Sequence, residues 1–393
     1  MNPVLAAAKT KNFPSMAEVR KTLKIDWYRC PIDKKVLSSL VQKSDAKGLL
    51  QAGGHFGLWV VTGATAFVLF NAGQWWWFLL ALFLHGTVAT YFTAPNHELC
   101  HRTVFKTPWI NELFLRLFCL FGWLNFRIYR FSHNYHHRYT LFLEGDREEI
   151  LPVTPSLRAL YILQLFTFNI FGGYQSRGVI PTVRGFIDIA LNRFSNPFNS
   201  WGEELYQGHD VHRQQAVKWA RVVIAFHVGV AVFALVIDQP ILILLISGSV
   251  FVANWHRYFV GVTMHCGLRS GVSDFRKCAR SVTLDPISEF LYWHMNWHLE
   301  HHMFAAVPCY NLKELHRAVA DDMPEPRTLL GAWREMRDTW RRQKIDPDYE
   351  FDTPVPEPGS DSTYSANSGS DPNAESVGDL IEAEIVAQSV KPV

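Results

Sequence analysis

Paired cysteines are missing from this chain. The six it has, Cys30, Cys100, Cys119, Cys266, Cys278 and Cys309, are scattered without a CxxC spacing. Neither a disulfide framework nor a zinc ribbon is indicated, and a reducing, cytosol-facing site fits them. An excess of one charge is missing too. Lys and Arg number 38 against 36 Asp and Glu, a net +2, and no basic run with interleaved aromatics appears, so nothing points to nucleic acid. Residues 1–50 lack the apolar core of a secretory signal, so the first hydrophobic segment is expected to serve as its own insertion signal. There is no internal repeat beyond two hydrophobic hairpins, no second folded domain, and in particular no fused electron-transfer module.

What is present is long apolar segments beside polar ones. A hydrophobic content of 48% with a mean hydropathy of −0.01 is a mixture of membrane-embedded and soluble stretches. Residues 56–70 and 75–94 are apolar, joined by an uncharged turn at 71–74, with Trp75, Trp76 and Trp77 placed like an interfacial aromatic belt. A second pair, 217–237 and 241–262, is joined by Asp238, Gln239 and Pro240. Four transmembrane helices in two hairpins are expected. Neither turn carries Lys or Arg. Arg102, Lys106, Arg116, Arg127, Arg130, Arg138 and Arg147 follow the first hairpin, and Arg269, Arg276, Lys277 and Arg280 follow the second. The positive-inside rule then puts both termini on the cytosolic side. Residues 159–171 are apolar for only about 13 residues, too few to cross, and are read as an interfacial helix, as is the stretch after Phe114.

Eight of the 17 histidines occupy three windows of five residues: His97 and His101 in HELCH, His133, His136 and His137 in HNYHH, and His298, His301 and His302 in HLEHH. Residues three and four apart share a helix face, so each window can aim two or three imidazoles at one point. One catalytic zinc takes three protein ligands, so eight are too many for one ion and suit two. Neutral imidazoles bring no charge to offset two cations, so a water-derived bridge is expected between them. Lone histidines such as His55, His85, His227 and His316 are read instead as core hydrogen-bonders. All three windows face the cytosol in this topology.

HELCH also matches the His-Glu-x-x-His signature of zinc peptidases, in which the glutamate activates water. A peptidase needs one further ligand, which leaves most of the other clustered histidines without a use. Glu98 has a plainer role as an acceptor for a ligand imidazole.

Three boxes in the order HxxxH, HxxHH and HxxHH, with hairpins between and around them, resemble the membrane fatty acid desaturase and hydroxylase superfamily. The resemblance runs over about residues 54–316. It implies a non-haem di-iron centre that uses O2 and two electrons to cleave an unactivated C–H bond, giving a double bond or an alcohol. The eight box histidines then match the family's iron ligands. His265 lies where relatives carry one more ligand ahead of the third box, with His256 and His294 as weaker candidates. Asn296 is expected to hydrogen-bond a ligand or bound water, and Asp146 to hold an imidazole or an arginine. The chain departs from front-end desaturases in keeping His at the start of the third box and lacking a fused cytochrome b5. The resemblance therefore implies an acyl-lipid desaturase, or a related hydroxylase, fed by a separate ferredoxin or cytochrome b5 type donor and its reductase. The expected fold is an all-α integral membrane protein whose cytosolic helical cap holds the di-iron site. Residues 1–50 are a cytosolic segment with an interfacial helix, 51–350 the desaturase-like membrane domain, and 351–393 a disordered acidic tail. The aromatic stretch around Trp123, Phe126, Tyr129 and Phe131 is expected to line an acyl tunnel or to anchor at the interface. Arg127, Arg130 and Arg138 are placed to receive an acidic head group, or simply to obey the positive-inside rule.

Overall fold

The computed structural model describes residues 13–148, 158–173, 176–194 and 201–356. Among these, three helices are long and apolar enough to cross a membrane: Asp45–Asn71, Trp75–Cys100 and Asp210–Val236. The first starts at Ser44, whose side chain accepts from Lys47 N, and turns at Gly73, which takes a φ of +69°. At 27 residues it is about 40 Å long, enough to span. The second is regular over Trp75–Thr90, breaks for one turn at Tyr91 and Phe92, and resumes as Thr93–Cys100. Pro95 lies in the first turn of that resumed piece, where its missing N–H costs nothing. Val60, Val61, Val68, Leu80, Val232 and Phe233 are exposed, a belt of apolar surface of the kind lipid covers.

The expected fourth span is not one helix. Residues 241–262 break into a π-helix Ile243–Gly248, a 3-10 turn Ser249–Phe251, a residue of positive φ at Ala253, and a helix Trp255–Gly261. Backbone groups freed by such breaks need partners where water is absent. Neighbours supply them. His85 Nε2 donates to Leu245 O at 2.8 Å, Trp123 Nε1 to Ser247 O at 2.9 Å, and Asn169 N to Phe251 O at 2.7 Å. Gly86 lets this irregular strand of chain approach, because a Cβ there would stand 2.6 Å from Val252. The lone histidines behave as expected: His55 donates to Val88 O, His227 to Leu120 O, and His316 pairs with Glu300.

The ends of the spans converge under a helical cap. Asp45 accepts from Thr107 N and Oγ1 at 2.9 and 2.7 Å, tying the first span to the helix Pro108–Phe121. Asn125 Nδ2 donates to Ala216 O and Trp219 Nε1 to Leu124 O, docking the helix Phe126–Tyr139 on the start of Asp210–Val236. The stretch 159–171 holds a helix of only eight residues, Ala159–Phe166, with Leu160 and Leu163 exposed, in keeping with an interfacial position. Among the described residues the one pairing between strands is Val282–Thr283 parallel to Arg327–Thr328.

Two expectations shift here. Phe118 and Phe126 are fully buried, and Trp123 stacks on His227 at 3.9 Å, so these aromatics pack the core and do not anchor at an interface. The folded part also runs past residue 350. Phe351 N donates to Gly267 O, Asp352 pairs with Lys277 at 2.8 Å, and Thr353 is buried. The rest of the expected tail, 357–393, lies outside the described residues.

Candidate metal centre

Each box lies on a short helix, and helical geometry sorts its histidines. Residues i and i+4 stand about 40° apart around a helix, while i+3 points about 60° to the other side of i. In the second box, on Phe126–Tyr139, the pair is His133 with His137 and the outlier is His136. In the third, on His298–Met303, the pair is His298 with His302 and the outlier is His301. His97 and the helix-ending His101 form a third i, i+4 pair.

The two box helices exchange their outliers. His97, His101, His133, His137 and His301 form one group, and His136, His265, His298 and His302 form another, each with its candidate ligand nitrogens within 4.8 Å of one another. In the first group His97 and His133 ring centres are 4.2 Å apart, and His137 and His301 4.8 Å. In the second, His298 and His302 are 4.5 Å apart and His136 and His302 4.8 Å. The groups abut, with His137 stacked on His302 at 4.5 Å. All nine sequence-predicted histidines, including His265, are therefore brought together. His256 and His294 are not: His256 bonds Tyr91 and Ser288, and His294 lies beside Glu289.

Outer partners orient the rings. An acceptor at Nδ1 requires the proton there and turns the Nε2 lone pair inward. Asp146 Oδ2 is 2.8 Å from His136 Nδ1, the Cys278 carbonyl 2.7 Å from His265 Nδ1, Glu98 Oε1 2.9 Å from His97 Nδ1, and Glu148 Oε1 3.2 Å from His133 Nδ1. The inward nitrogens crowd each other, with His265 and His298 Nε2 2.8 Å apart and His133 and His137 Nε2 3.0 Å apart. His97 Nε2 and both ring nitrogens of His101 are buried with no hydrogen-bond partner. Inward nitrogens crowded in both groups, and orphaned in the larger, make each group a donor set that could hold a metal ion. Burial pushes His133, His137, His298, His301 and His302 well below the ordinary imidazole range, and His101 and His265 to about 3. Burial thus favours the neutral form of these seven rings, the form that ligates metal.

Glu98 is fully buried and faces the outer nitrogen of His97, 3.7 Å from His301 Nδ1. That places it to orient imidazoles, and not at the inward side where a peptidase glutamate would activate water. Asp146 holds His136 and also accepts from Leu141 N and Glu148 N. Asn296 bonds no histidine, and its Oδ1 is buried without a hydrogen-bond partner. Its amide donates to Val282 O at 2.9 Å, fastening the strand ahead of the third box instead of a histidine. Sequence reasoning missed Glu148, which holds His133, and Thr140, whose hydroxyl lies 3.2 Å from His302 Nδ1. Glu148 had one signal, its place in the acidic stretch that also carries Asp146, whereas Thr140 had none beyond following the second box.

Residues 73–332 match the fatty acid desaturase family. The chain is 34% identical over 91 residues to an sn-1 oleoyl-lipid 12-desaturase of Picosynechococcus sp., covering 23% of this chain and 26% of that protein. It is 36% identical over 72 residues to the sn-1 oleoyl-lipid 12-desaturase of Anabaena variabilis, covering 18% and 21%. The matched region thus spans about a quarter or less of those relatives' own lengths. The family match covers well over half of the chain, from just before the second span to past the third box, and encloses both histidine groups. This chain belongs to the fatty acid desaturase family.

Proposed function

We propose that the chain is an O2-dependent membrane oxidoreductase, most specifically an acyl-lipid desaturase, whose nine histidines bind two iron ions. The single observation that carries this reading is the pair of abutting histidine groups, built by two box helices that each give a pair to one group and an outlier to the other. Five and four imidazoles, buried or nearly so, with acceptors holding the outer nitrogens of His97, His133, His136 and His265, suit divalent first-row metals. The cyanobacterial relatives are named for acting on an sn-1 oleoyl lipid, which favours a lipid-borne acyl chain as substrate.

Bound there, the iron pair supplies the O2 chemistry that breaks an unactivated C–H bond. The chain's own residues prepare that step. Asp146, Glu98, Glu148 and the Cys278 carbonyl keep the protons on the outer nitrogens, so the inner ones stay free for metal. A buried layer of Leu99, Phe118, Trp293 and Leu299 around the box helices excludes water. Hydroxylation of a lipid or a small methylated compound is the alternative outcome on the same scaffold. The HELCH glutamate's outward position weighs against a zinc peptidase. Electrons come from a separate donor of ferredoxin or cytochrome b5 type with its reductase.

In this reading residues 241–262 cross the membrane as a discontinuous fourth pass. Its far end packs Ile241 and Leu245 against Ala66, Phe78 and Ala81 of the first hairpin. The two turns free of Lys and Arg then face out, and the histidines and both termini face the cytosol.

Metal analysis with an iron Mössbauer spectrum tests the centre, and lipid product profiling tests the reaction. About two irons per chain, spin-coupled when oxidised, and an O2-dependent unsaturated product are expected. His133→Ala and His301→Ala should each abolish turnover and lower iron together. Activity surviving either change, or one zinc without iron, would overturn the assignment.

A further inference from the structure

Three guanidiniums crowd one aromatic ring at the start of the second-box helix. Arg127 lies over Phe126 at 4.9 Å, Arg130 at 5.8 Å and Arg116 at 6.0 Å. One acid serves two of them: Glu112 Oε1 is 3.1 Å from Arg130, Oε2 is 3.5 Å from Arg116, and Arg102 takes a further share of Oε1 at 3.2 Å. Among the described residues no carboxylate lies within ion-pair distance of Arg127. Arg130 Nε is buried without a hydrogen-bond partner. Burial and the neighbouring Arg130, Arg116 and Arg102 lower the pKa of Arg127, with Glu112 opposing them. Like charges this close are held at a cost unless an anion shares them.

The placement names the kind of anion. Trp109, Leu113 and Arg116 fall at i, i+4 and i+7 on Pro108–Phe121, one helix face, and Trp109 and Leu113 are 65% and 45% exposed. A helix that turns a tryptophan, a leucine and a cation outward together lies in the head-group layer, its apolar side chains toward the acyl region. Arginine forks match phosphate oxygens bidentately.

We infer that Arg116, Arg127 and Arg130 form a binding site for the phosphate of an acidic membrane lipid, separate from the histidine groups. Arg130 and Arg127 precede His133 by about one and two helical turns, so an occupied site also braces the helix that carries the second box. This assignment stands whether the reaction is desaturation or hydroxylation, because it rests on the arginine cluster and the exposed face of Pro108–Phe121, not on the histidine groups.

The full chain is purified in neutral detergent and put into nanodiscs of mixed phosphatidylcholine and phosphatidylglycerol. Native mass spectrometry reads the retained lipid, and thermal shift reads short-chain phosphatidylglycerol against inorganic phosphate. Wild type should retain phosphatidylglycerol selectively and be stabilised by the short-chain form. The double variant Arg116→Gln with Arg127→Gln should weaken that binding by about tenfold or more, the loss of a charge-assisted hydrogen bond. Arg127→Lys should keep part of it, and a melting temperature in lipid-free detergent and a size-exclusion elution equal to wild type certify that the variants are folded. Equal phosphatidylglycerol retention by wild type and the double variant overturns the site. An inorganic phosphate shift matching the lipid's, and lost in the double variant, assigns the cluster to free phosphate and overturns the lipid.

Discussion

The two histidine groups differ in number and in shelter. The larger has five members, two of them, His101 and His137, only partly buried, while all four of the smaller are buried. Their outer partners differ too. The smaller group leans on Asp146, which is 1% exposed and makes three hydrogen bonds, and on a backbone carbonyl. The larger leans on Glu98 and on Glu148, whose side chain is 22% exposed. The smaller group offers four imidazoles in a rigid surround, whereas the larger offers five in a softer one; on the proposed metal centre the smaller has none to spare. Similar box sequences thus serve two unequal sites, because each helix divides its histidines between them.

The largest expected effect comes from removing ligands where none is spare. His298→Ala leaves three imidazoles in the smaller group and should cut activity more than about 100-fold while emptying that position. His101→Ala leaves four in the larger group and should retain more metal, as read by metal analysis of both proteins. Equal losses would break the comparison. Stripping the metal with a chelator should lower the melting temperature by about 10 °C, because binding to the folded state alone stabilises it. Restoring iron(II) should recover it.

Next come the outer acceptors. Asp146→Asn should weaken metal binding or turnover by about 10- to 100-fold, since the buried carboxylate sets both the tautomer and the orientation of His136. Glu148→Gln should cost only about a few-fold, because water reaches its carboxylate. The smallest effect is expected of Asn296→Ala. Loss of its bond to Val282 should cost about 1 kcal/mol of stability, measured by denaturant unfolding in detergent, with iron content unchanged. A drop in iron would instead put Asn296 at the metal centre.

Much of the site was legible because its determinants are local. The i, i+3, i+4 spacing is a property of the helix itself, so three clusters announced a two-metal ligand set before any contact was known, and HELCH could be weighed against the six remaining box histidines. Hydropathy indicated four spans, and three of them are single helices long and apolar enough to cross, since a window of apolar residues is scored without its neighbours. Asp146 was found by its place after the second box. Asn296's bond to the Val282 backbone was not legible, because the amide can turn several ways and only the packed strand decides.

The sequence by itself determined which histidines are gathered together and that they lie beside helices long and apolar enough to cross a membrane, because residue type, helical period and apolar length are all one-dimensional. Tertiary structure alone decided which histidine joins which group, for that depends on how the helices Phe126–Tyr139 and His298–Met303 face each other. It also decided the break in 241–262. A π turn and a regular helix have the same composition, and the break is tolerated only because His85, Trp123 and Asn169, distant in sequence, reach the freed carbonyls.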